Sequence, residues 1–379
     1  IRNSSGYLRR KSQRKKQEKG VGIKILHGSC LDRLKDLEDQ SINTCITSPP
    51  YWGLRDYGTG EWIGGDPNCP HMRTTKISKD TSTGHKAMFE QGNVVGDAIY
   101  KNECPKCGAI RQDNQLGLEE TPEEFVENLV EVFREVKRVL RDDGTVWLNL
   151  GDSYCGTGHK GNYTDPKHKE GRNGQKIALN NKIEGLKSKD LVGIPWRVAF
   201  ALQADGWYLR QDIIWHKPNP MPESVRDRCT KAHEYIFLLS KSPKYYFDNE
   251  AIKEDAKFPD GPNSPHKIKA VENVYSANLQ KIGANPKRNK RSVWTVTTKP
   301  FKGAHFATFP MDLIEPCVLA GCPEGGTVLD PFGGSGTTAQ VANGHNRDAI
   351  LIELNEEYIE IAKERIAPDG DLFTEIEVF

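Results

Sequence analysis

Apolar, strand-like runs alternate with helical patterns along nearly all of this chain of 379 residues. In such a chain each helix carries the backbone back to the end of the sheet where the previous strand began. Strands that become neighbours therefore pair in parallel. Strands are expected at 22–26, 42–47, 145–150, 207–216, 234–240, 327–332 and 348–354, and helices at 31–37, 121–140, 195–206, 311–321, 337–344 and 355–366. The sequence therefore predicts an α/β fold with a doubly wound, mostly parallel sheet.

The longest expected helix carries its own end signals. Thr121 is suited to cap it, Pro122 suits its first turn, and Glu124 completes a capping box. Residues 142–144 (DDG) are expected to stop the helix before the next strand.

Composition and charge exclude several classes of protein. The mean hydropathy is −0.65, and no apolar stretch approaches the ~18 residues of a membrane span. The net charge of +1 gives no global indication of nucleic-acid binding, so that property would have to come from local patches. Residues 1–20 carry eight Lys/Arg against one Glu, which is typical of a disordered basic arm and lacks the apolar core of a signal peptide.

Cysteine usage favours a reducing, intracellular compartment, either cytoplasm or nucleoid. Nine cysteines in a long chain do not form the even framework of a disulfide-rich secreted protein. Cys317 falls within a helical apolar pattern and is expected in the core. The other cysteines expected to be isolated small hydrophobes are Cys30, Cys45, Cys155, Cys229 and Cys322.

A glycine-rich turn, residues 331–336 (PFGGSG), follows a strand that ends near Asp330. Glycines there let the backbone approach a ligand beside a helix N-terminus, although a purely structural turn has the same pattern. The spacing fits neither the Gly-x-Gly-x-x-Gly dinucleotide pattern nor a P-loop. Glu353, near the end of the next strand, is placed to bind both hydroxyls of a ribose. The pattern favours a nucleoside cofactor without a pyrophosphate.

A second unusual turn follows the strand at 42–47. Ser48, Pro49, Pro50 and Tyr51 come directly after it, so two prolines fix the backbone where a polar side chain and a flat ring are presented. An ordinary turn that ends a strand gives the same pattern when it is considered alone.

The motifs TSPPY (47–51), HFATFP (305–310) and DPFGGSGTT (330–338), in this order, resemble the β-group amino-methyltransferases of DNA. These enzymes use S-adenosylmethionine to methylate N4 of cytosine or N6 of adenine. The resemblance runs from about residue 22 to 366. It implies a circularly permuted Rossmann-like methyltransferase sheet with polar insertions, in which the strand at 22–26 lies beside the C-terminal strands.

The resemblance also implies roles for individual residues. A base inside a duplex cannot present its amino group, so it is expected to flip into a pocket. Ser48 and the Pro49 carbonyl would accept hydrogen bonds from the amine, Pro50 would keep these acceptors rigid, and Tyr51 would stack on the base. The expected cofactor residues are Ser29, Asp330, Phe332, Gly334, Ser335, Gly336, Thr337 and Glu353, with His305 and Phe309 on the far side.

The sequence departs from the family pattern at two positions. Ser29 and Asn43 stand where aspartate is usual, and the first change weakens the expected contact with the adenine of the cofactor. Ser48 resembles the cytosine-N4 enzymes, whereas aspartate is more typical of the adenine-N6 enzymes. Because some serine-bearing members methylate adenine, both bases stay open and cytosine is favoured.

Two other classes of protein stay open. A protein-glutamine methyltransferase also uses a Pro-Pro-Tyr turn, but its cofactor half normally comes first. A catalytically silent DNA-binding module would keep the loops and would have no affinity for the cofactor.

One polar insertion carries residues that commonly bind metals. Cys104 and Cys107, in CPKCG, have the spacing of half a zinc knuckle, and Cys69 and His71 would complete a Cys₃His site. His85 is an alternative ligand, and free thiols or a redox pair are the alternative to a metal. Four protein ligands leave no open position, so we expect a structural zinc rather than a catalytic one.

Polar insertions divide the methyltransferase domain, which we assign to residues 21–379. They lie at 60–117, with the expected zinc knuckle, at 155–188, a loop, and at 250–292, where the resemblance places target recognition. Cations in the last two suit DNA phosphates, although solvated loops explain them as well. DNA is the expected partner, a cognate restriction endonuclease is the second partner considered, and no membrane partner is expected.

Overall fold

A computed structural model describes residues 22–53, 60–71, 103–112, 115–156, 183, 185–255, 287–298, 309–367 and 375–379. Its strands are β1 (Gly22–His27), β2 (Ile42–Thr47), β3 (Glu61–Ile63), β4 (Ile110–Gln112), β5 (Leu140–Leu150), β6 (Tyr208–His216), β7 (His233–Ser240), β8 (Glu254–Asp255), β9 (Lys287–Arg288), β10 (Val293–Thr295), β11 (Thr327–Asp330), β12 (Asp348–Glu353) and β13 (Glu375–Val378). Its helices are α1 (Cys30–Leu34), α2 (Pro122–Val139), α3 (Ile194–Ala204), α4 (Met311–Gly321), α5 (Thr337–Gly344) and α6 (Glu356–Ile366). None of the helices in these ranges is long and apolar enough to cross a membrane.

The strands form one large sheet in the order β10-β6-β7-β5-β2-β11-β12-β1-β13. Strand β7 runs antiparallel to β5 and β6, and the other neighbours pair in parallel. The predicted doubly wound, mostly parallel sheet is therefore confirmed.

The order of the strands shows the circular permutation directly. Strand β1 pairs with β12 on one side and β13 on the other, although β1 is the first described strand and these are the last two. Strands β2 and β11 are also neighbours, with Val328 opposite Thr44 and Leu329 opposite Cys45. The permuted order thus brings the early and late halves of the chain together at the centre of the sheet.

Each face of the sheet is covered by its own set of helices. Helices α1, α2 and α3 pack over one buried cluster, which includes Phe125, Leu129 and Phe133. Helices α4, α5 and α6 pack over the other, which includes Trp147 and Cys317. Cys317 is fully buried, as predicted, and burial raises the pKa of its thiol well above the ordinary value.

Local signals predicted the start of α2 correctly but not its end. Thr121 and Glu124 form the predicted capping box, and Pro122 occupies the first turn. The helix ends at Val139, because Leu140 is extended and pairs with Ile42 of β2. Residues 142–144 accordingly lie within β5, where the register shifts, and do not form the expected stop.

Several sequence expectations are wrong at the edges of elements. Short strands β3, β4, β8, β9 and β10 and the final strand β13 were not expected, because so few residues carry too little periodicity. The strand expected at 327–332 ends at Asp330 and is followed by the turn. Cys229, expected as an isolated small hydrophobe, is exposed.

Each of the three insertions begins and ends at positions that lie close together in the fold. The first closes where the Gly53 amide donates to the Gly117 carbonyl at 2.8 Å, the second where the Cys155 amide donates to the Asp190 carbonyl at 2.8 Å. The third closes through the β8–β9 pair, in which Glu254 lies opposite Arg288. The basic arm expected at 1–20 and most of 155–188 and 250–292 lie outside the described residues.

Candidate active site at the centre of the sheet

The carboxyl ends of β2 and β11 meet at a topological switch point. The chain leaves β2 towards β5 by way of α2 on one face, and leaves β11 towards β12 by way of α5 on the other. A crevice opens at such a point in an open α/β sheet, and ligands bind there. Both unusual turns of the sequence, residues 48–51 and 331–336, follow these two strands.

Asp330 joins the two turns. Its Oδ1 accepts a hydrogen bond from the Thr47 hydroxyl at 2.6 Å, across 283 positions of sequence, and its Oδ2 accepts one from the Thr338 hydroxyl at 2.6 Å. The Phe332 amide donates to Oδ1 as well, at 3.1 Å. Asp330 is 1% exposed, and this burial raises the pKa of its carboxyl to about 6. Its hydrogen bonds favour the charged form and lower the pKa, but burial is the larger effect. The carboxylate therefore fastens β2, β11 and α5 together.

The glycine-rich turn has a backbone that side chains would not tolerate. Gly334 and Gly336 have φ of 50° and 78°. A Cβ on Gly336 would lie 2.9 Å from the Cβ of Ala362, so α6 packs directly on the turn. The hydroxyls of Ser335 and Thr337 are buried and bind the Arg365 guanidinium. At these two positions only the backbone remains to approach a ligand.

Glu353 holds the other side of the turn. Its carboxylate accepts hydrogen bonds from the amides of Gly334 at 2.7 Å and Asn355 at 2.8 Å, and burial raises the pKa of the carboxyl. The Glu353 carbonyl accepts from the Gly28 amide at 3.0 Å, which brings Ser29 to the same edge of the sheet. The structure thus gathers these predicted cofactor residues around one turn.

The two residues predicted to line the far side of the cofactor, Phe309 and His305, stay predictions. Phe309 is partly buried and packs against the core cluster under α4, α5 and α6. His305 lies outside the described residues, so its role stays a prediction. Phe332 is partly buried against the opposite cluster, as Tyr51 is.

Tyr51 is held at both its ring and its hydroxyl. The ring lies against Gly151, where an added Cβ would be 2.5 Å from Cε2. The hydroxyl lies 2.9 Å from Glu234 Oε2 and 3.1 Å from Asn149 Oδ1, and donates to one of them at a time. The Ser48 hydroxyl donates to the Tyr51 oxygen at 3.4 Å. The serine and the tyrosine of the motif therefore form one hydrogen-bonded unit.

The residues around Tyr51 were missed by the sequence reasoning. Asn149 and Gly151 lie at the end of the strand expected at 145–150, and Glu234 begins the apolar run of β7. A polar residue at the end of an apolar strand was the available signal, but only the order of the strands brings these three together. Trp52, which follows Tyr51, is 4% exposed and packs in the core.

Cys69, His71, Cys104 and Cys107 also come together, in the first insertion. Their ligand atoms all lie within 4.8 Å of one another. The Sγ atoms of Cys69 and Cys104 are 3.8 Å apart, and Cys107 Sγ lies 3.5 Å from His71 Nδ1. The alternative ligand His85 lies outside the described residues.

A permuted, mostly parallel sheet with a proline-fixed turn and a glycine-rich turn at its switch point defines the class of Rossmann-like methyltransferases. A family profile described as DNA methylase, N6_N4_Mtase, matches residues 42–364. The chain belongs to this family, the β-group amino-methyltransferases of DNA.

Two type II methyltransferases are similar in sequence to this chain over most of their length. The chain is 42% identical over 344 residues to the type II methyltransferase M.SmaI of Serratia marcescens, covering 90% of each chain. It is 41% identical to M.Cfr9I of Citrobacter freundii, covering 91% of this chain and 88% of the relative.

Solved structures support the fold. A putative DNA modification methylase from Thermus thermophilus, complexed with S-adenosyl-L-methionine, matches with a TM-score of 0.52 and 20% identity, over 94% of this chain and 98% of that one. PvuII DNA methyltransferase, described as cytosine-N4-specific, matches with a TM-score of 0.51 and 15% identity, over 95% of this chain and 98% of that one.

Proposed function

We propose that this protein is a site-specific DNA methyltransferase that transfers a methyl group from S-adenosylmethionine to the exocyclic amine of a flipped base, with N4 of cytosine favoured. The hydrogen bond of 2.6 Å between Thr47 and Asp330 carries this proposal. It fastens the turn that holds Ser48 and Tyr51 to the turn that holds Gly334, at the place where an α/β sheet binds its ligands.

The residues at the carboxyl ends of β11 and β12 fit an S-adenosyl cofactor. The backbone of Gly334 approaches without a side chain, and Glu353 offers carboxylate oxygens beside it for ribose hydroxyls. Asp330 is buried, so we assign it to fastening the turn rather than to direct contact. S-adenosylmethionine, when bound, supplies an electrophilic methyl group.

The turn after β2 suits an amine nucleophile. An exocyclic amine is a poor nucleophile because its lone pair is delocalised into the ring. The Ser48 hydroxyl and the Pro49 carbonyl would accept its two N–H groups and localise that pair, while Pro49 and Pro50 limit the motion of these acceptors. Tyr51, held against Gly151, would stack on the base.

Serine at position 48 favours cytosine, and adenine N6 is the alternative. Relatives 41–42% identical to this chain are type II methyltransferases, which supports a role in protecting DNA from a cognate restriction endonuclease. Target choice is assigned to the insertion at 250–292, and the place of action is the interior of the cell, where the DNA is.

Two measurements test the function. Isothermal titration with S-adenosylhomocysteine should show one site per chain, whereas a silent DNA-binding module would give no heat of binding. Treated DNA is then digested and its nucleosides are analysed by mass spectrometry. N4-methylcytosine is the expected product; N6-methyladenine would move the assignment to the other base, and no methylated nucleoside from any DNA tested would overturn it.

A further inference from the structure

Two of the ligand-to-ligand distances in the Cys/His cluster match those around a tetrahedral metal ion, and all of the ligand atoms lie within 4.8 Å of one another. In a tetrahedron the distance between two ligands is about 1.6 times the bond length, so zinc bonds of ~2.3 Å to sulfur and ~2.0 Å to nitrogen give about 3.8 Å between sulfurs and about 3.5 Å between sulfur and nitrogen. The separations here are 3.8 Å for Cys69–Cys104 and 3.5 Å for Cys107–His71. Both pairs therefore have the spacing of zinc ligands.

The surrounding backbone also suits a metal site. The Cys104 carbonyl accepts from the Gly108 amide at 2.7 Å, and Gly108 has φ of 72°, which folds the Cys-x-x-Cys segment into a tight turn. The His71 ring stacks on Trp62 with centroids 4.3 Å apart and planes 14° apart, which fixes its direction. A disulfide between Cys69 and Cys104 would need their sulfurs at ~2.05 Å, far closer than they lie.

The two-stranded antiparallel sheet of β3 and β4 lacks an apolar core of its own among the residues described. Its cross-strand pair Ile63 and Ile110 is 55% and 62% exposed. Small units without a core commonly depend on a metal for their stability. The cluster supplies four ligands from the two segments that lie between these strands, Cys69 and His71 after β3 and Cys104 and Cys107 before β4.

We propose that Cys69, His71, Cys104 and Cys107 bind one structural Zn²⁺ ion, and that this ion stabilises the insertion on which the Tyr51 turn rests. The insertion ends at Gly117, whose carbonyl accepts a hydrogen bond from the Gly53 amide. A Cβ on Gly117 would lie 3.1 Å from the Tyr51 carbonyl, so the returning chain packs closely against the turn. The link to Tyr51 rests on the proposed function, whereas the metal site does not.

The test is the metal content of the full chain. Native mass spectrometry should show one zinc per chain, and Co²⁺ in its place should give the thiolate charge-transfer and visible d–d absorption of a tetrahedral site. Cys104→Ser and Cys107→Ser should lose the metal, and Cys229→Ser, which changes an exposed cysteine outside the cluster, should retain it.

Either of two results would overturn the zinc site: a folded wild-type chain that binds neither Zn²⁺ nor Co²⁺, or unchanged stoichiometry in both cluster variants. If the variants fail to fold, the number of zinc ions per wild-type chain and the Co²⁺ spectrum still test the proposed site. Because none of these readouts uses methyl transfer, the zinc site can fail while the proposed function stands.

An ion pair between Glu234 and Lys217 lies behind the Tyr51 hydroxyl. Glu234 Oε2 lies 2.9 Å from the Tyr51 hydroxyl, and its Oε1 forms an ion pair with Lys217. The side chains of Lys217 and Glu234 are only 18% and 16% exposed. Asn149 fixes the same carboxylate from β5, with Nδ2 at 3.5 Å from Oε2.

We infer that Glu234, oriented by Lys217, is a positioning residue that fixes the Tyr51 ring for base stacking, an inference that rests on the proposed function. A charged acceptor makes a stronger hydrogen bond than a neutral one. Held from the hydroxyl end by Glu234 and from the ring by Gly151, Tyr51 has little freedom to turn. Glu234 acts on the base through Tyr51 and not on the reacting atoms.

A double-mutant cycle with Tyr51→Phe and Glu234→Gln tests this inference. Each single variant should lower kcat/KM about tenfold, and the double variant should be no worse than either one, because both remove the same interaction. Binding of S-adenosylhomocysteine should not change. Glu377→Gln is the matched control, since it breaks an exposed Lys–Glu pair on β1 and β13.

Additive losses in the cycle, or Glu234→Gln with wild-type kcat/KM, would overturn the inference. Quenching of a fluorescent base analogue at the target position gives a second readout, and should fall in both single variants. If the wild-type chain transfers no methyl group, the proposed function fails first, so the two failures are distinguishable.

Discussion

At the scale of single residues, Ser48 and Tyr51 are the side chains on which the proposed chemistry depends. Ser48→Ala removes an acceptor for the amine, and Tyr51→Ala removes the face on which the flipped base would stack. We expect each to abolish detectable methyl transfer to DNA, while isothermal titration still shows S-adenosylhomocysteine binding. Tyr208→Ala, on an exposed tyrosine of β6, is the control. Normal transfer by Tyr51→Ala would show that stacking is not its role.

The buried carboxyl of Asp330 should make the free energy of unfolding depend on pH. Its pKa is raised from 3.8 to about 6 by burial, so between these values the folded chain keeps a proton that the unfolded chain has lost. The contribution of Asp330 to the free energy of unfolding therefore falls as pH rises through this window, by about 3 kcal/mol for a shift of this size.

Asp330→Asn should remove that contribution. Denaturant unfolding across the window between the two pKa values should show the wild type losing stability relative to the variant as pH rises. Asp32→Asn, which changes an exposed carboxyl, should track the wild type at every pH. Parallel curves for wild type and Asp330→Asn would contradict the raised pKa.

At the scale of elements, the glycine-rich turn depends on its contact with α6. Gly336→Ala should destabilise the fold by about 2–4 kcal/mol, because Gly336 has φ of 78° and its Cβ would lie 2.9 Å from that of Ala362. Gly344 lies at the end of α5, and a Cβ added there would have no atom within 4 Å. Gly344→Ala should therefore stabilise the fold by about 0.5–1 kcal/mol. Urea unfolding of both variants measures the change in the free energy of unfolding, which should be negative for Gly336→Ala and positive for Gly344→Ala. Equal changes in the two variants would contradict the role of the contact with α6.

Sequence patterns predicted elements well where they were long and regular. Helix α2 carries a capping box and a continuous apolar face, and both are present. The end of α2 was misplaced because Leu140 is drawn into a ladder with Ile42, a long-range contact that no local signal contains. The short strands exist only because a neighbouring strand pairs with them.

At the scale of the molecule, the permuted order places β13 at the edge of the sheet beside β1. The Phe379 amide donates to the Ile25 carbonyl at 3.0 Å, and the His27 amide donates to the Phe379 carbonyl at 2.8 Å. Removal of residues 375–379 should leave the apolar strand β1 as an exposed edge, which promotes aggregation.

Thermal unfolding with light scattering measures this outcome. The truncated chain should have a lower Tm and should aggregate earlier than the wild type, whereas Phe379→Ala, which keeps the backbone pairing, should resemble the wild type. A truncated chain with unchanged Tm would show that β13 adds little to the sheet.

Periodicity, glycine and proline conformation, and spacing along the chain predicted the class of fold, the two turns at the centre of the sheet and the four candidate ligands in the first insertion. The inward position of Asp330, which fastens two turns, is evident only in the folded chain. So are the contacts of Glu234, Asn149 and Gly151 with Tyr51. These contacts depend on which strands are neighbours and on their register, and pairing across a permuted sheet joins residues whose separation in sequence carries no signal.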